Sequence, residues 1–231
     1  MSDSERKIPG GKLYNASREK ILMNERLYRK TRIWGFNFNH VAEVGVYLPE
    51  SSNILGFIKD GVRADLFEPD PDCIEKIEDY FKNNSNVRIF PYAIYAENGP
   101  IRLYRDGAST FVADLKTSPA LANDQYQPAP EDIFYAEARI FSDFDDGTID
   151  LLSIDTEGCE WYVLMHLKSR PLVISLETGW KKYRNPYLPQ IENWMSENGY
   201  RKWYRDRSDT VYLRQDIKVN PLRKIFRLIR G

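Results

Sequence analysis

The stretch that decides the fold is Ile149-Asp150-Leu151-Leu152-Ser153-Ile154-Asp155-Thr156-Glu157-Gly158-Cys159-Glu160, an apolar run that stops at acidic residues and a glycine before an amphipathic segment begins. A run without alternation suits a parallel strand covered by helices on both faces. Its acids stand where the strand ends, and in open α/β sheets ligands bind outside the carboxyl ends of strands. Asp155 and Glu157 are therefore the leading candidates for chemistry. The competing reading is that Asp155 caps the following helix and Glu157 lies on its solvated first turn.

Working outward, Val41-Ala42-Glu43-Val44-Gly45-Val46-Tyr47 predicts a first strand and its turn, and Pro49-Glu50-Ser51-Ser52-Asn53 opens a helix. Ala64-Asp65-Leu66-Phe67-Glu68 predicts a second strand ending at Glu68-Pro69. Glu68 follows Gly45 at close to the roughly 20 residues that separate a nucleotide-binding turn from the acid that grips a ribose. A carboxylate suits that task because it accepts hydrogen bonds from both ribose hydroxyls. Residues 87–94 predict a third strand, 101–104 an edge strand and 137–141 a short strand. The span 117–131 reads either as a lid or substrate loop or as a surface insertion. Residues 172–177 form another apolar run ending in an acid, Glu177; a helix over 187–198 and a hairpin of 200–204 with 209–214 follow. His40 and His166 are the only histidines, so each is weighed as a base.

A chain of 231 residues, 42% hydrophobic and 29% charged, supports one main globular core. Its 33 basic and 34 acidic side chains nearly cancel, which excludes a global positive field for nucleic acid. Cys73 and Cys159 have neither a metal-ligand spacing nor a disulfide framework, and the chain begins Met-Ser-Asp-Ser-Glu without an apolar signal core, so the expected location is cytoplasmic. No apolar run approaches the roughly 20 residues that cross a bilayer. The expected organisation is a lead-in and helix over 1–40, a catalytic domain over 41–216 and a basic amphipathic tail over 217–231. In that tail Leu222, Ile225, Phe226 and Ile229 share a helical face among Arg and Lys. Such a face suits peripheral contact with the inner face of a membrane, or docking on the domain or a partner.

The motifs Glu43-Val44-Gly45, Phe67-Glu68-Pro69-Asp70, Tyr92-Ala93-Ile94, Ser109-Thr110, the Asp150–Glu160 block and Leu176-Glu177 together resemble the FkbM-like family of S-adenosylmethionine-dependent methyltransferases, over roughly Val41 to Thr178. The sharpest of them is I-D-x-E-G-x-E after a D-L-L strand. The resemblance implies a class I, Rossmann-like α/β fold, a mostly parallel sheet with a C-terminal antiparallel hairpin and helices on both faces. It implies S-adenosyl-L-methionine as cofactor and O-methylation of a hydroxyl on a saccharide or glycan-related acceptor. It also implies that Glu68 with Pro69 holds the ribose, that Glu43 and Gly45 shape the methionine end, and that Tyr92 and Ala93 flank the adenine. Asp155 is then the leading general base, Glu157 its partner, and Glu177 the next candidate.

One departure concerns the glycine-rich D-x-G-x-x-x-G turn of the family, of which this chain keeps only Gly45. Tyr47 could pack on the cofactor instead, and Ser51 or Ser52 could bond its carboxylate at a helix start. The alternative is a degenerate, non-catalytic glycan-binding or scaffold protein. A nicotinamide-dependent oxidoreductase is disfavoured because G-x-G-x-x-G is absent. The three acids could also hold a divalent cation through oxygen ligands and acidify a diol, but the sequence assigns no metal.

Overall fold

The computed structural model describes residues 18–217, with side chains from residue 25 onward. The lead-in before residue 18 and the tail beyond Ile217 lie outside the described residues. Strands and helices alternate through α1 (Arg18–Trp34), β1 (His40–Val44), α2 (Leu55–Lys59), β2 (Arg63–Phe67), α3 (Pro71–Phe81) and β3 (Val87–Phe90). A second group follows, with β4 (Ala93–Ile94), β5 (Gly99–Tyr104), β6 (Phe111–Val112), α4 (Pro119–Asn123) and β7 (Ile133–Arg139). The chain then returns through β8 (Leu151–Ile154), α5 (Glu160–Leu164), β9 (Val173–Glu177), α6 (Leu188–Glu197), β10 (Tyr200–Asp206) and β11 (Asp209–Arg214).

The main sheet has the order β10-β11-β9-β8-β1-β2-β3. β3, β2, β1, β8 and β9 are parallel, while β11 is antiparallel to both β9 and β10. This is the class I methyltransferase-like α/β arrangement that the sequence predicts. From β1 the chain winds toward β3, then crosses back to β8 on the other side of β1, so the order reverses between β1 and β8. The carboxyl ends of those two strands frame the crevice where such sheets take ligands.

Burial explains the lack of alternation in these strands: every residue of β1, β8 and β9 is buried. Successive side chains point to opposite faces. Ala42, Val44, Leu152, Ile154, Ile174 and Leu176 join one core with Val163, Ile191 and Met195. Val41, Leu151, Val173 and Leu213 join the other with Leu27, Phe57 and Ile77. Phe36 and Phe38 are buried in this second core. Among the described residues no helix is long and apolar enough to cross a membrane.

The predicted third strand over 87–94 is two strands in two sheets. β3 stops before Pro91, which has no N–H to continue a ladder. The Tyr92 N–H bonds back to the Phe90 carbonyl at 2.9 Å, and Ala93–Ile94 pairs with β7. The predicted edge strand, β5, is an interior strand of a four-stranded sheet in the order β4-β7-β5-β6. Its alternation arises because one face is solvated while Ile101 and Leu103 pack with Ala93, Val112 and Ala138. The strand predicted over 137–141 runs instead over Ile133–Arg139. Residues 117–131 contain α4 and are docked. The Asn123 Oδ1 accepts from the Lys182 and Tyr183 amides at 3.0 and 3.2 Å, and Tyr126 packs edge-on against Phe111.

Candidate active site

The crevice is built by two turns in contact. Beyond β1, Gly45 has φ +85° and its N–H donates to the Phe67 carbonyl at 2.9 Å. The Asp155 N–H in turn donates to the Val44 carbonyl at 2.9 Å. A β-carbon at Gly45 would lie 1.8 Å from the Asp155 carbonyl oxygen, so only glycine permits this approach.

Tyr47 has φ +60°, a left-handed backbone that few non-glycine residues adopt, and its N–H donates to Glu68 Oε2 at 2.8 Å. Glu68 Oε1 accepts from the Asp70 N–H at 3.0 Å. Burial pushes the Glu68 carboxyl up to about 7, with the Asp70 charge adding to the rise and the Asp70 and Tyr47 amides opposing it. Pro69 is half-buried between Glu68 and Asp70. Asp70 caps α3 through the Asp72 N–H and receives two hydrogen bonds from Arg105, at 2.8 and 2.9 Å. That pair ties the Glu68–Asp70 loop to the end of β5.

Glu43 is buried; it accepts from the Ser52 hydroxyl and, at 2.8 Å, from the Asn53 N–H. Burial pushes its carboxyl up to about 8 despite those bonds. The Ser51 hydroxyl donates to the Leu48 carbonyl at 2.7 Å and closes a 3-10 turn over Pro49–Ser51. The helix predicted to open at Pro49 starts instead at Leu55. Ser51 and Ser52 thus build the turn rather than stand at a helix start. Pro49, at the place of the family's second glycine, is buried and opens the 3-10 turn.

Tyr92 packs at the edge of the main core, and Ala93 in the core of the second sheet. The Tyr92 ring stacks on Phe144 at 5.5 Å under the Arg139 guanidinium, and Ala93 is buried in the small core. The structure therefore connects Glu43, Gly45, Tyr47, Ser51 and Glu68 through one hydrogen-bonded turn, and joins Tyr92 and Ala93 to a different set of neighbours.

Beyond β8, Asp155 and Glu157 meet Glu177 at the end of β9; each offers a carboxylate oxygen, all within 4.8 Å of one another. Glu157 is only 9% exposed, has φ +54°, and precedes Gly158 at φ +113°. The cap of α5 is Cys159, so Asp155 does not cap that helix and Glu157 does not lie on its solvated turn. Glu160 organises the bend: its Oε1 accepts from the Thr156 and Gly158 amides at 3.0 and 3.2 Å, and Asn185 donates to its Oε2. Burial raises Glu157 well above the usual carboxyl range, and the charges of Asp155 and Glu177 raise it further. Burial and the Asp155 charge push Glu177 up to about 10, and Asp209, opposite Glu177 across the β9–β11 ladder, up to about 7.

Sequence reasoning quoted Glu160 without giving it a role, and it missed Tyr183, Asn185 and Asp209. The spacing of Glu160 two residues after a left-handed glycine signals a turn acceptor; Tyr183 and Asn185 come from the β9–α6 connection and Asp209 from the start of β11, and none has a local signal. Both histidines have structural partners elsewhere. His40 sits at the start of β1, between Thr148 and Asp65, at the sheet end opposite the crevice, and His166 bonds the Ala96 carbonyl at 3.0 Å. A cleft of about 240 Å³ adjoins Thr178, lined by Arg184, Lys202, Trp203 and Arg205.

The family model described as the methyltransferase FkbM domain matches residues 39–202. No curated protein matches the chain. Among solved structures it is similar to a precorrin-6y C5,15-methyltransferase from Geobacter metallireducens, at 14% identity over 81% of this chain and 84% of that one, with a TM-score of 0.39. It is also similar to a SAM dependent methyltransferase from Aquifex aeolicus, at 12% identity over 81% and 88% of the two chains, with a TM-score of 0.42.

Proposed function

Because the chain belongs to the FkbM family of S-adenosylmethionine-dependent methyltransferases, we propose that it O-methylates a hydroxyl of a saccharide or glycan-related acceptor. The observation that carries this reading is the contact between Gly45 and Asp155, which supports one crevice between the turn bonded to Glu68 and the turn of Asp155.

The nucleoside side fits the cofactor. Glu68 accepts from the Tyr47 and Asp70 amides at 2.8 and 3.0 Å, and a carboxylate has further lone-pair sites with which to take a ribose hydroxyl. When bound, S-adenosylmethionine supplies an activated methyl group and leaves as a neutral thioether. The chain's task is to position and deprotonate. Glu68 with Pro69 holds the ribose, while the Glu43–Ser52 bond and the Ser51 turn keep Gly45 and Tyr47 against it. Asp155 would take the acceptor's hydroxyl proton, and Glu157 and Glu177 would orient that oxygen toward the activated methyl group.

For the acceptor, the supporting features are the cleft beside Thr178 and, separately, Trp180, a residue 40% exposed with the Arg207 guanidinium over its ring. An exposed ring beside hydrogen-bonding side chains suits the mixed apolar and hydroxyl faces of a sugar. Buried free thiols at Cys73 and Cys159 agree with a cytoplasmic location. The basic tail would supply peripheral membrane contact, so deletion from Pro221 should reduce liposome binding; unchanged binding rejects that role.

The test pairs calorimetry of S-adenosylhomocysteine with methyl transfer from labelled cofactor to a panel of saccharides. Asp155→Asn should keep S-adenosylhomocysteine affinity and lower turnover by roughly 10²-fold or more. Unchanged turnover removes Asp155 as the base, and transfer to none of the saccharides removes the acceptor class.

A further inference from the structure

Among the described residues, buried side-chain polar atoms without a hydrogen-bond partner gather at the acidic turn: Thr156 Oγ1, Glu157 Oε2, Glu177 Oε2 and the Tyr183 hydroxyl. The Tyr212 hydroxyl is the exception. The Tyr183 hydroxyl lies at this bend, 3.4 Å from where a β-carbon on Gly158 would stand. Native folds pair nearly all buried polar atoms, so a cluster of orphans in one place points to something that binds there.

The charge balance identifies what binds. Asp155, Glu157 and Glu177 bring three carboxylates together, and a fourth acid, Asp209, faces Glu177 across the β9–β11 ladder. Carboxylates this close in a dry site ionise together only beside a compensating positive charge. Geometry selects a metal ion over a bulkier organic cation. Oxygen ligands stand about 2.0–2.6 Å from magnesium or calcium, so ligands on opposite sides of one ion are roughly 4–5 Å apart. The oxygens of Asp155, Glu157 and Glu177, all within 4.8 Å of one another, fit around a single such ion.

We propose that Asp155, Glu157 and Glu177 bind one divalent cation through their carboxylate oxygens. Glu160 serves as a positioning residue, since it holds the Thr156 and Gly158 amides and so the bend on which Glu157 stands. Resting on the O-methyltransferase reading above, the cation's role is to hold the acceptor, and a vicinal pair of hydroxyls is the acceptor chemistry that a hard, oxygen-seeking ion chelates.

The experiment titrates the full-length chain with Mn²⁺, following free ion by electron paramagnetic resonance, and records the thermal midpoint with Mg²⁺, Ca²⁺ and Mn²⁺. One Mn²⁺ per chain and a rise in midpoint are expected, since a ligand that binds the folded state alone stabilises it. Glu177→Gln and Glu157→Gln should each weaken Mn²⁺ binding at least tenfold and abolish the rise. In cation-free buffer Glu177→Gln should melt above the wild type, because it replaces a buried carboxyl crowded by other acids, which folding forces to take up a proton, with a neutral amide of the same shape; that readout also establishes that the variant folds. Asp114→Asn, in an exposed pair with Arg102, should bind Mn²⁺ as the wild type does. No Mn²⁺ bound by the folded wild type at millimolar concentration, or binding that survives both Gln substitutions, overturns the site. S-adenosylhomocysteine is titrated on the same samples. Binding of it without Mn²⁺ overturns the cation site alone, whereas Mn²⁺ binding without it upholds the site and counts against the cofactor crevice.

Discussion

The backbone of Asp155 fills the space where Gly45 would carry a side chain, its carbonyl oxygen 1.8 Å from that β-carbon position. The two residues end adjacent parallel strands, and the Asp155 N–H is bonded to the Val44 carbonyl. The turn that would hold the nucleoside and the turn that would face the acceptor therefore cannot shift independently.

Gly45→Ala adds a β-carbon into that carbonyl and imposes a left-handed backbone on a residue that resists it. The expected cost is about 2–4 kcal/mol of stability, with loss of S-adenosylhomocysteine binding. Gly147→Ala is the control, because Gly147 has a similar φ of +84° with nothing within 4 Å of the added carbon, and it should cost about 1 kcal/mol. Urea denaturation of the two variants checks the difference.

At Tyr47 the requirement is for the φ of +60°, which places the N–H on Glu68. Tyr47→Gly should therefore fold with stability within about 1 kcal/mol of wild type. Tyr47→Val should be less stable than Tyr47→Gly by about 1–2 kcal/mol, since a β-branched residue strongly resists this backbone. Equal melting of the two would show that the ring, not the backbone, sets the preference.

Burial holds Glu68 up to about 7, so its carboxyl gains a proton as pH falls through neutrality. A protonated carboxyl loses acceptor capacity for ribose hydroxyls. The dissociation constant of S-adenosylhomocysteine should accordingly rise as pH falls below about 7, approaching tenfold per unit for a single proton. Glu68→Gln should bind weakly and with a flat profile. Calorimetry across the neutral range decides, and an identical slope in the variant assigns the proton elsewhere.

Glu160 is fully buried and accepts from two backbone amides and Asn185. Glu160→Ala leaves those donors without an acceptor and should cost about 2–4 kcal/mol, measured by denaturant midpoint. Glu160→Gln retains a carbonyl oxygen in the same place and should recover part of that loss.

In the docked segment over 117–131, Asn123 bonds to the β9–α6 connection, accepting from the Lys182 and Tyr183 amides. Asn123→Ala should raise amide exchange at Lys182 and Tyr183 and increase protease cutting within 117–131, with a global cost of about 1–2 kcal/mol.

What the sequence determined by itself was everything written in local pattern. An unbroken apolar run ending in Asp155 and Glu157 fixes a buried parallel strand and the end at which its acids emerge, because burial on two faces tolerates no polar alternation within the strand. The spacing of Gly45 and Glu68 is likewise a property of one β–α–β unit. Tertiary structure decided what depends on partners distant in the chain. The alternation of β5 is the same for an edge strand and for an interior strand with one wet face, so only pairing with β7 and β6 distinguishes them. The engagement of Ser51 and Ser52 in their own turn, and the buried settings of Glu157 and Glu177, are equally invisible in the residues themselves. A carboxyl's burial and its company are set by folded neighbours such as Asp209 and Tyr183, which reach the acidic turn from elements whose local sequence says nothing about it.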